Sequence, residues 1–382
     1  MLVQLRRRGS VLACGLLIAL VAQAPHAQPS APAECGADLD SLAPYMLAND
    51  AGARDRVAQT GHATFDAAFA AARTLAAAAV DEDACLAALR SYLATFRKTH
   101  LSIRSMAAAA GAARPALPLP TFRVLSAKTA LLTVPSFADQ ASDAIARTLA
   151  EHARDLAQRP NLVIDVRGNG GGSDWTYQPL LPLVAANTRR DVGAMLLATP
   201  ANSAANRAVC ALLAPESKQC RDAARAESEA MDRAPAGTFI PMPGERAVDI
   251  VEPGRVAANP RRIGVLVDRR CGSTCEEFLL AVRQSFKVKL FGQSSAGSLD
   301  YSNLRPFVLP SGKRLLMYAT SRSLRLPQFA VDLAGIPPDQ AWPAPADAAV
   351  REQEVRDVQH VLESGPRGGG VTRPSRAGVR AR

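Results

Sequence analysis

Aromatic residues are scarce in this sequence: they make up 5% of 382 residues, which argues against a protein that binds nucleic acid by stacking bases. Long apolar runs are missing after residue 30, because charges and prolines interrupt every stretch, so we predict no integral membrane segment in the mature chain. Apolar residues nevertheless reach 48% and charged residues 21%. These proportions predict a folded chain with a buried core.

The net charge of +10 is concentrated at the two ends of the chain. Three arginines occupy residues 6–8, and five more lie in segment 365–382, which we predict to be a disordered basic tail. Without these eight arginines the charge falls to +2, so the body of the protein is nearly neutral. We therefore predict no nucleic acid partner; contact of the tail with an anionic surface is the alternative.

The N-terminus has the order of a secretory signal peptide. The arginines of residues 6–8 precede the apolar run 11–22, which is too short to cross a bilayer, and small residues follow around Ala24 and Ala27. We predict cleavage after Ala27, which removes residues 1–27. The mature protein would then be periplasmic or secreted.

Export would place the cysteines in an oxidising compartment, where disulfides persist. Cys14 leaves with the signal peptide, and the six that remain are an even number, which in an oxidising compartment favours disulfides. No histidine lies near the closely spaced cysteines, so we predict no metal site. Six cysteines allow many pairings; proximity in the chain favours Cys210 with Cys220 and Cys271 with Cys275, which leaves Cys35 with Cys85.

Hydrophobic periodicity divides the mature chain into a helical part and a mixed part. Ala-rich stretches at 66–79 and 82–97 have helical spacing, whereas buried strands and helices alternate later, which indicates an α/β layered core. In chain order, we predict a helical N-terminal region at 28–106, a linker at 107–120, a core at 121–344 with an insertion of helix and loop at 187–260, and a last helix at 345–364.

Within the core, the pattern predicts individual elements. Short apolar runs bounded by turn residues are typical of buried parallel strands, and longer amphipathic stretches are typical of helices. We predict strands at 129–134, 162–166, 263–267 and 287–291, helices at 142–158, 178–186 and 275–285, and a hairpin that joins 307–310 to 313–318.

The glycine-rich segment DVRGNGGG, residues 165–172, directly follows a predicted buried strand. Consecutive glycines let backbone N–H groups approach a ligand closely. The segment has neither the Gly-Lys-Ser/Thr of a P-loop nor the spacing of a dinucleotide-binding turn, and we predict no cofactor. Two interpretations remain: donors for an oxyanion, or a tight turn from a strand to a helix.

The segment CGSTCE, residues 271–276, lies between a predicted strand and a predicted helix. A serine at the N-terminus of a helix lies at the positive end of the helix dipole, which suits a nucleophile. The alternative is a capping box, in which Ser273 and Glu276 only satisfy backbone groups. A bridge between Cys271 and Cys275 would fix the turn, and it requires Cys271 to lie outside the helix.

Few side chains could act as a base. Four histidines remain in the mature chain, and we expect His62, His152 and His360 to be capping or solvated residues. His100 differs because it lies in KTHLSI, where a predicted helix gives way to an extended stretch. A serine hydrolase built on this chain would use His100 or a lysine.

Taken together, the segments resemble the S41 serine peptidases, the group of the C-terminal-processing and tricorn-core proteases. Five motifs match in order and cover roughly residues 97–340. They are RKTHLSI (97–103), LVIDVRGNGGG (162–172), VLVDRRCGSTCEEF (265–278), FGQSSAGSLDYSN (291–303) and AGIPPD (334–339). The resemblance implies a core like those of ClpP and the crotonases, with a small helical N-terminal region.

The resemblance also implies roles for single residues. Ser273 is the nucleophile, and the backbone N–H groups of Thr274 and of a glycine near Gly171 hold the oxyanion. Processing proteases carry a catalytic lysine after the glycine of the fourth motif, but here Gly297 is followed by Ser298.

That departure favours the branch of the family that uses histidine. We predict His100 as general base, supported by the hydroxyl residue Thr99, and Asp332 as the carboxylate that orients it. Asp300 and Glu276 are the alternative acids. The twenty or so residues between His100 and Thr121 leave no room for the PDZ domain of the processing proteases.

We therefore predict an exported serine peptidase that hydrolyses a protein or peptide substrate through an acyl-enzyme. Two alternatives remain open. One is a catalytically inactive peptide- or ligand-binding protein on the same fold, and the other is an esterase or amidase for small substrates.

Overall fold

The structure is a computed structural model that describes residues 30–107 and 117–364. The predicted signal peptide, most of the predicted linker and the predicted tail lie outside the described residues. The chain begins with four helices: α1 (Ala31–Asn49), α2 (Ala53–Thr60), α3 (His62–Ala77) and α4 (Glu82–Leu93).

Thirteen strands and seven further α-helices follow in the described part of the chain. The strands are β1 (Ser102–Ser105), β2 (Thr121–Val124), β3 (Thr129–Thr133), β4 (Asn161–Asp165), β5 (Arg189–Val192), β6 (Ala194–Ala198), β7 (Thr238–Pro241), β8 (Val248–Val251), β9 (Arg262–Val267), β10 (Val288–Gly292), β11 (Tyr301–Val308), β12 (Arg314–Ser323) and β13 (Gln340–Ala341). The helices are α5 (Ser142–Glu151), α6 (Ala153–Gln158), α7 (Leu181–Val184), α8 (Pro200–Leu213), α9 (Lys218–Arg233), α10 (Thr274–Val282) and α11 (Ala348–Ser364).

The N-terminal helices fold around an apolar cluster of their own. Asp81 starts α4, because its carboxylate accepts the N–H of Ala84 at 2.8 Å, and acidic residues occupy the first turn. Leu39, Phe65 and Leu89 are buried in this cluster together with Tyr318 of β12. The helices therefore pack directly on a strand of the core.

A six-stranded sheet forms the centre of the core, in the order β13-β10-β9-β4-β3-β2. Its strands are parallel except for β2, which pairs antiparallel with β3. Successive residues face opposite sides: Ile164 and Val265 enter one cluster with α5 and α10, whereas Val163 and Leu266 enter another with α11. Helices on both faces bury the apolar runs, as the α/β prediction requires.

A second, antiparallel sheet corrects the interpretation of the insertion. Stretch 187–260 contains α8 and α9 as expected, but it also contains four strands. β6 pairs with both β12 and β7, and β12 pairs further with β1 and β11, which gives a five-stranded sheet; β5 and β8 form a separate pair. The predicted hairpin is confirmed and is longer than expected, because β11 and β12 pair from Tyr301 to Val308.

Two predicted helices are interrupted. The helix expected at 142–158 breaks at His152 into α5 and α6, and the His152 ring stacks on Phe122 at 4.2 Å instead of being simply solvated. The helix expected at 178–186 is a 3₁₀ turn followed by the short α7, each with a proline in its first turn.

Three disulfides join the predicted cysteine pairs: Cys35–Cys85, Cys210–Cys220 and Cys271–Cys275. The first links α1 to α4, and the second links α8 to α9. Over the described ranges, no helix is both long enough and apolar enough to cross a membrane.

Candidate active site

Three loops meet at one edge of the parallel sheet. β4, β9 and β10 are neighbours, so the loops that follow their carboxyl ends are neighbours as well. Backbone hydrogen bonds join them: Gly272 N–H donates to Asn169 at 3.2 Å, and Ala296 N–H donates to Cys271 at 2.8 Å. The glycine-rich turn, the Ser273 turn and segment 293–300 therefore lie together at the carboxyl ends of parallel strands, where α/β folds place their sites.

Ser273 lies at the N-terminus of α10 in a strained conformation. Its φ is 56° and its ψ is −126°, a region that residues other than glycine rarely adopt. The disulfide Cys271–Cys275 brackets it, with Cys271 ahead of the helix as predicted. The capping-box pattern of Ser273 and Glu276 is present at the start of the helix, as the capping interpretation predicts. Capping does not explain why the backbone of Ser273 adopts a strained conformation.

Glu276 is fully buried and ties two loops together. One carboxylate oxygen accepts the N–H of Ser273 at 3.1 Å and that of Ser298 at 2.9 Å. The other accepts Gly297 N–H at 2.8 Å and the Ser295 hydroxyl at 2.5 Å. Glu276 thus holds the Ser273 backbone against segment 295–298, and both of its oxygens are occupied by these donors.

The glycine-rich turn approaches the Ser273 turn too closely for any side chain. Gly171 has φ +94°, and a β-carbon there would lie 2.6 Å from the carbonyl oxygen of Gly272. Its N–H, however, donates to the Asn169 side chain at 2.9 Å. The N–H groups of Gly172 and Thr274 have no hydrogen-bond partner among residues 30–107 and 117–364. The N–H groups without a partner at this turn are therefore those of Thr274 and Gly172, whereas that of the predicted Gly171 is occupied.

His100 follows α4 in the turn that leads into β1, with φ 51°. Its Nδ1 lies 2.6 Å from the carbonyl oxygen of Tyr301, and the Ser302 hydroxyl lies 3.4 Å away. A carbonyl oxygen only accepts, so Nδ1 carries the proton and Nε2 keeps its lone pair. Burial lowers the pKa of His100, and the Arg97 charge lowers it further. The imidazole is therefore a neutral base near neutral pH.

Arg97 shapes the turn that carries His100. Its Nε donates to the carbonyl of Thr99 at 3.0 Å, and a terminal nitrogen donates to the carbonyl of His100 at 3.1 Å. Arg97 is itself paired with the buried Asp50. The Thr99 hydroxyl donates to Gly297 at 3.4 Å, next to the Glu276 contacts. Sequence reasoning missed Arg97 and Asp50; RKTH was visible, but nothing local pointed to a partner 47 residues earlier.

The structure places His100 and Ser273 on segments that contact the same loop. Thr99 bonds to Gly297, Gly297 bonds to Glu276, and Glu276 bonds to Ser273. The described contacts include no direct hydrogen bond between the His100 ring and the Ser273 hydroxyl. Catalytic hydrogen bonds are often long before substrate binds, so the geometry is compatible with a dyad that closes on a substrate.

Asp332 forms no hydrogen bond or ion pair with the His100 ring in the described residues, and its orienting role stays a prediction. Its Oδ1 accepts the N–H groups of Leu299 at 2.7 Å and Asp300 at 2.8 Å, while Asp300 accepts the N–H of Val331 and of Asp332 in return. Burial raises the pKa of Asp332 to about 6. The two carboxylates thereby join two loops. The hydrogen-bond partner of the imidazole Nδ1 is instead the backbone carbonyl of Tyr301.

Lys287, which precedes β10, donates its Nζ to the carbonyl of Ala257 at 3.2 Å. In the described residues, no group of three or more His, Cys, Asp or Glu side chains is arranged to hold a metal ion.

Comparison with known proteins relates this geometry to a family. The sequence model of peptidase family S41 matches residues 128–341, more than half of the chain. A search of curated proteins finds no match.

Solved structures are similar to this chain at low sequence identity. A protein from Parabacteroides merdae described as a candidate peptidase is 14% identical, with a TM-score of 0.53 over 88% of this chain and 99% of that one. A lipoprotein from Streptococcus agalactiae is 15% identical, with a TM-score of 0.46 over 88% and 97%. The photosystem II D1 C-terminal processing protease is 14% identical, with a TM-score of 0.37 over 59% and 48%.

Proposed function

The chain belongs to peptidase family S41, and from that premise we propose that it is an exported serine peptidase that cleaves peptide bonds with Ser273 as nucleophile and His100 as base. The Ser273 hydroxyl attacks the substrate carbonyl, and Nε2 of His100 takes its proton. The N–H groups of Thr274 and Gly172 hold the oxyanion. His100 then gives the proton to the leaving amine, and a water molecule hydrolyses the acyl-enzyme.

The observation that carries the proposal is the strained backbone of Ser273. Holding a residue at φ 56° costs free energy, so neighbouring contacts must stabilise that conformation. Here the contacts are the hydrogen bond to Glu276 and the disulfide that brackets the turn. Such strain suits a serine that must project from the mouth of a helix beside unpaired N–H donors. Each donor is worth about 3 kcal/mol of barrier in comparable enzymes.

The orientation of His100 supports the assignment of the base. With Nδ1–H bound to Tyr301, the tautomer is the one that leaves Nε2 able to accept a proton. The Tyr301 carbonyl thus takes the place of the third residue of a triad. Asp332 and Asp300 act at a distance, by fixing the segment that carries Tyr301.

Export is supported by the three disulfides, because such bonds persist in oxidising compartments. Together with the N-terminal motif, they favour a periplasmic or secreted protein.

Labelling with a fluorophosphonate tests the proposed chemistry. We expect wild-type protein to be labelled at Ser273, Ser273→Ala to be unlabelled, and His100→Ala to be labelled at least about 100-fold more slowly. His360→Ala, which changes an exposed histidine on α11, is the matched control and should react like wild type. Equal labelling of wild type and Ser273→Ala would reject the nucleophile and favour the non-catalytic binding protein.

A further inference from the structure

A carboxylate lies one hydrogen bond away from the proposed oxyanion site. Asp174 opens the 3₁₀ turn that follows the glycine-rich segment, and its Oδ1 accepts the hydroxyl of Thr274 at 2.7 Å. The same hydroxyl lies 3.0 Å from the carbonyl oxygen of Gly172. Thr274 and Gly172 are the two proposed oxyanion donors, so Asp174 is next to both.

Asp174 has no ion-pair partner in the described part of the chain. Its side chain is open to solvent, yet surrounding protein is dense enough that desolvation raises its pKa. The charge of Arg325 lowers the same pKa, but Arg325 forms no ion pair with Asp174. The position of the carboxylate is therefore fixed by its hydrogen bond to Thr274 and not by a cation.

The charges around Asp174 are mostly negative. Glu277, on the first turn of α10, has a pKa raised to about 7, chiefly by burial and partly by the Asp174 charge. Glu245 also has a raised pKa, for the same two reasons. The cation in this group is Arg325, which pairs with Glu277 at 3.1 Å. The pKa values of all three carboxyl groups are raised, so a cation bound beside them would stabilise their ionised forms.

Arg325, whose charge acts on Asp174, has a buried donor without a partner. The residue is 7% exposed, and its Nε has no hydrogen-bond partner although its terminal nitrogens bind Glu277. A buried donor without an acceptor costs free energy unless a ligand supplies one. A peptide backbone offers such acceptors at every residue.

We propose, on the basis of the proposed peptidase function, that the surface at Asp174 is the subsite for the substrate residue that contributes the scissile carbonyl, and that it selects lysine or arginine there. That carbonyl oxygen would sit at the Thr274 N–H, and the β-carbon of the same residue is two bonds from the carbonyl carbon, one bond fewer than the β-carbon of the residue after the scissile bond. It is therefore the substrate side chain that lies nearest to Asp174.

The electrostatics favour a cation for a further reason. A carboxylate beside the oxyanion site repels the negative charge that develops during attack, and this repulsion raises the barrier for a neutral substrate. A lysine or arginine side chain placed on Asp174 compensates the carboxylate. An acidic side chain would add a third negative charge.

Peptidyl-aminomethylcoumarin substrates that differ only in the residue before the scissile bond test this specificity. We expect kcat/KM for lysine and arginine to exceed that for leucine or alanine by roughly 10- to 100-fold, the range of a charge-assisted hydrogen bond, and glutamate to be cleaved most slowly. Asp174→Asn should lose most of this preference while it is still labelled by fluorophosphonate, at a rate equal to or above that of wild type, because the repulsion of the developing oxyanion is removed. Asp222→Asn, which removes an exposed carboxylate on α9, is the matched control and should keep the preference.

The outcomes separate the two proposals. Wild-type protein that is labelled at Ser273 but cleaves leucine and lysine substrates equally well would overturn the subsite alone. Retention of the preference by Asp174→Asn, with its labelling intact, would do the same. Wild-type protein that is not labelled at Ser273 would overturn the proposed function and this inference with it.

Discussion

Replacing Glu276 by glutamine tests how the nucleophile turn is held. The carboxylate is fully buried and accepts five hydrogen bonds, two at one oxygen and three at the other. Glutamine has nearly the same shape, but one of its two terminal atoms is a donor. Whichever way the amide turns, at least two donors of the protein then face an NH₂ group.

The expected loss follows from those contacts. An unsatisfied buried donor costs about 1–3 kcal/mol, so two of them predict that Glu276→Gln lowers the free energy of unfolding by roughly 2–6 kcal/mol. If the amide faces Ser273, the strained turn also loses its anchor. In that case we expect fluorophosphonate labelling of the folded fraction to slow by about tenfold or more.

Urea unfolding followed by circular dichroism measures the free energy of unfolding. The rate of fluorophosphonate labelling, at urea concentrations below the unfolding transition, measures whether the Ser273 turn is still held in place. Glu352→Gln is the matched control, because Glu352 is exposed and pairs only with surface groups such as Arg123; its effect should stay under about 1 kcal/mol. A stability loss for Glu276→Gln no larger than that of the control would refute the reasoning.

The remaining predictions concern the strain, the base and the close approach of the two turns. Replacing Cys271 and Cys275 together by alanine should lower the free energy of unfolding by about 2 kcal/mol, as expected for a short loop, and should also slow labelling of the folded protein; unchanged labelling would mean that the bridge does not position the serine. The labelling rate should rise with pH and reach half its maximum below pH 6.5, because the neutral form of His100 is the base and its pKa lies below that ordinary value; a midpoint above pH 7 would contradict this. Gly171→Ala should abolish labelling, since its β-carbon would lie 2.6 Å from a carbonyl oxygen at φ +94°, whereas Gly36→Ala, with open space around it, should behave as wild type.

The parallel core could be predicted because its signals are local. β4 and β9 are short apolar runs followed by glycine or turn residues, and burial on both faces of a sheet requires such runs. The antiparallel sheet could not. β6 is stabilised by β12, more than 120 residues later in the chain, and the prolines and charges around β5 to β8 obscure their strand character. Non-local pairing leaves little trace in a single sequence.

The candidate site shows the same contrast between local motifs and contacts that are distant in the sequence. Ser273 and the glycine-rich turn could be predicted, since each occupies a short motif whose residue types are needed there. The partner of His100 could not be, because a backbone carbonyl has no side-chain signature, and the expected carboxylate of Asp332 is used to clamp loops. The free N–H group belongs to Gly172 and not to Gly171, because the Asn169 side chain accepts the N–H of Gly171. The spacing of the residues in the sequence does not reveal that contact.

The salt bridge between Asp50 and Arg97 has a practical consequence for the boundaries of the enzyme. It lies, like His100 itself, outside the stretch 128–341 that the family model recognises. A protein trimmed to that stretch would retain Ser273 and the parallel sheet but would lack His100, the proposed proton acceptor, and the edge strand β1. The proposed mechanism therefore requires the N-terminal region as well as the stretch that the family model matches.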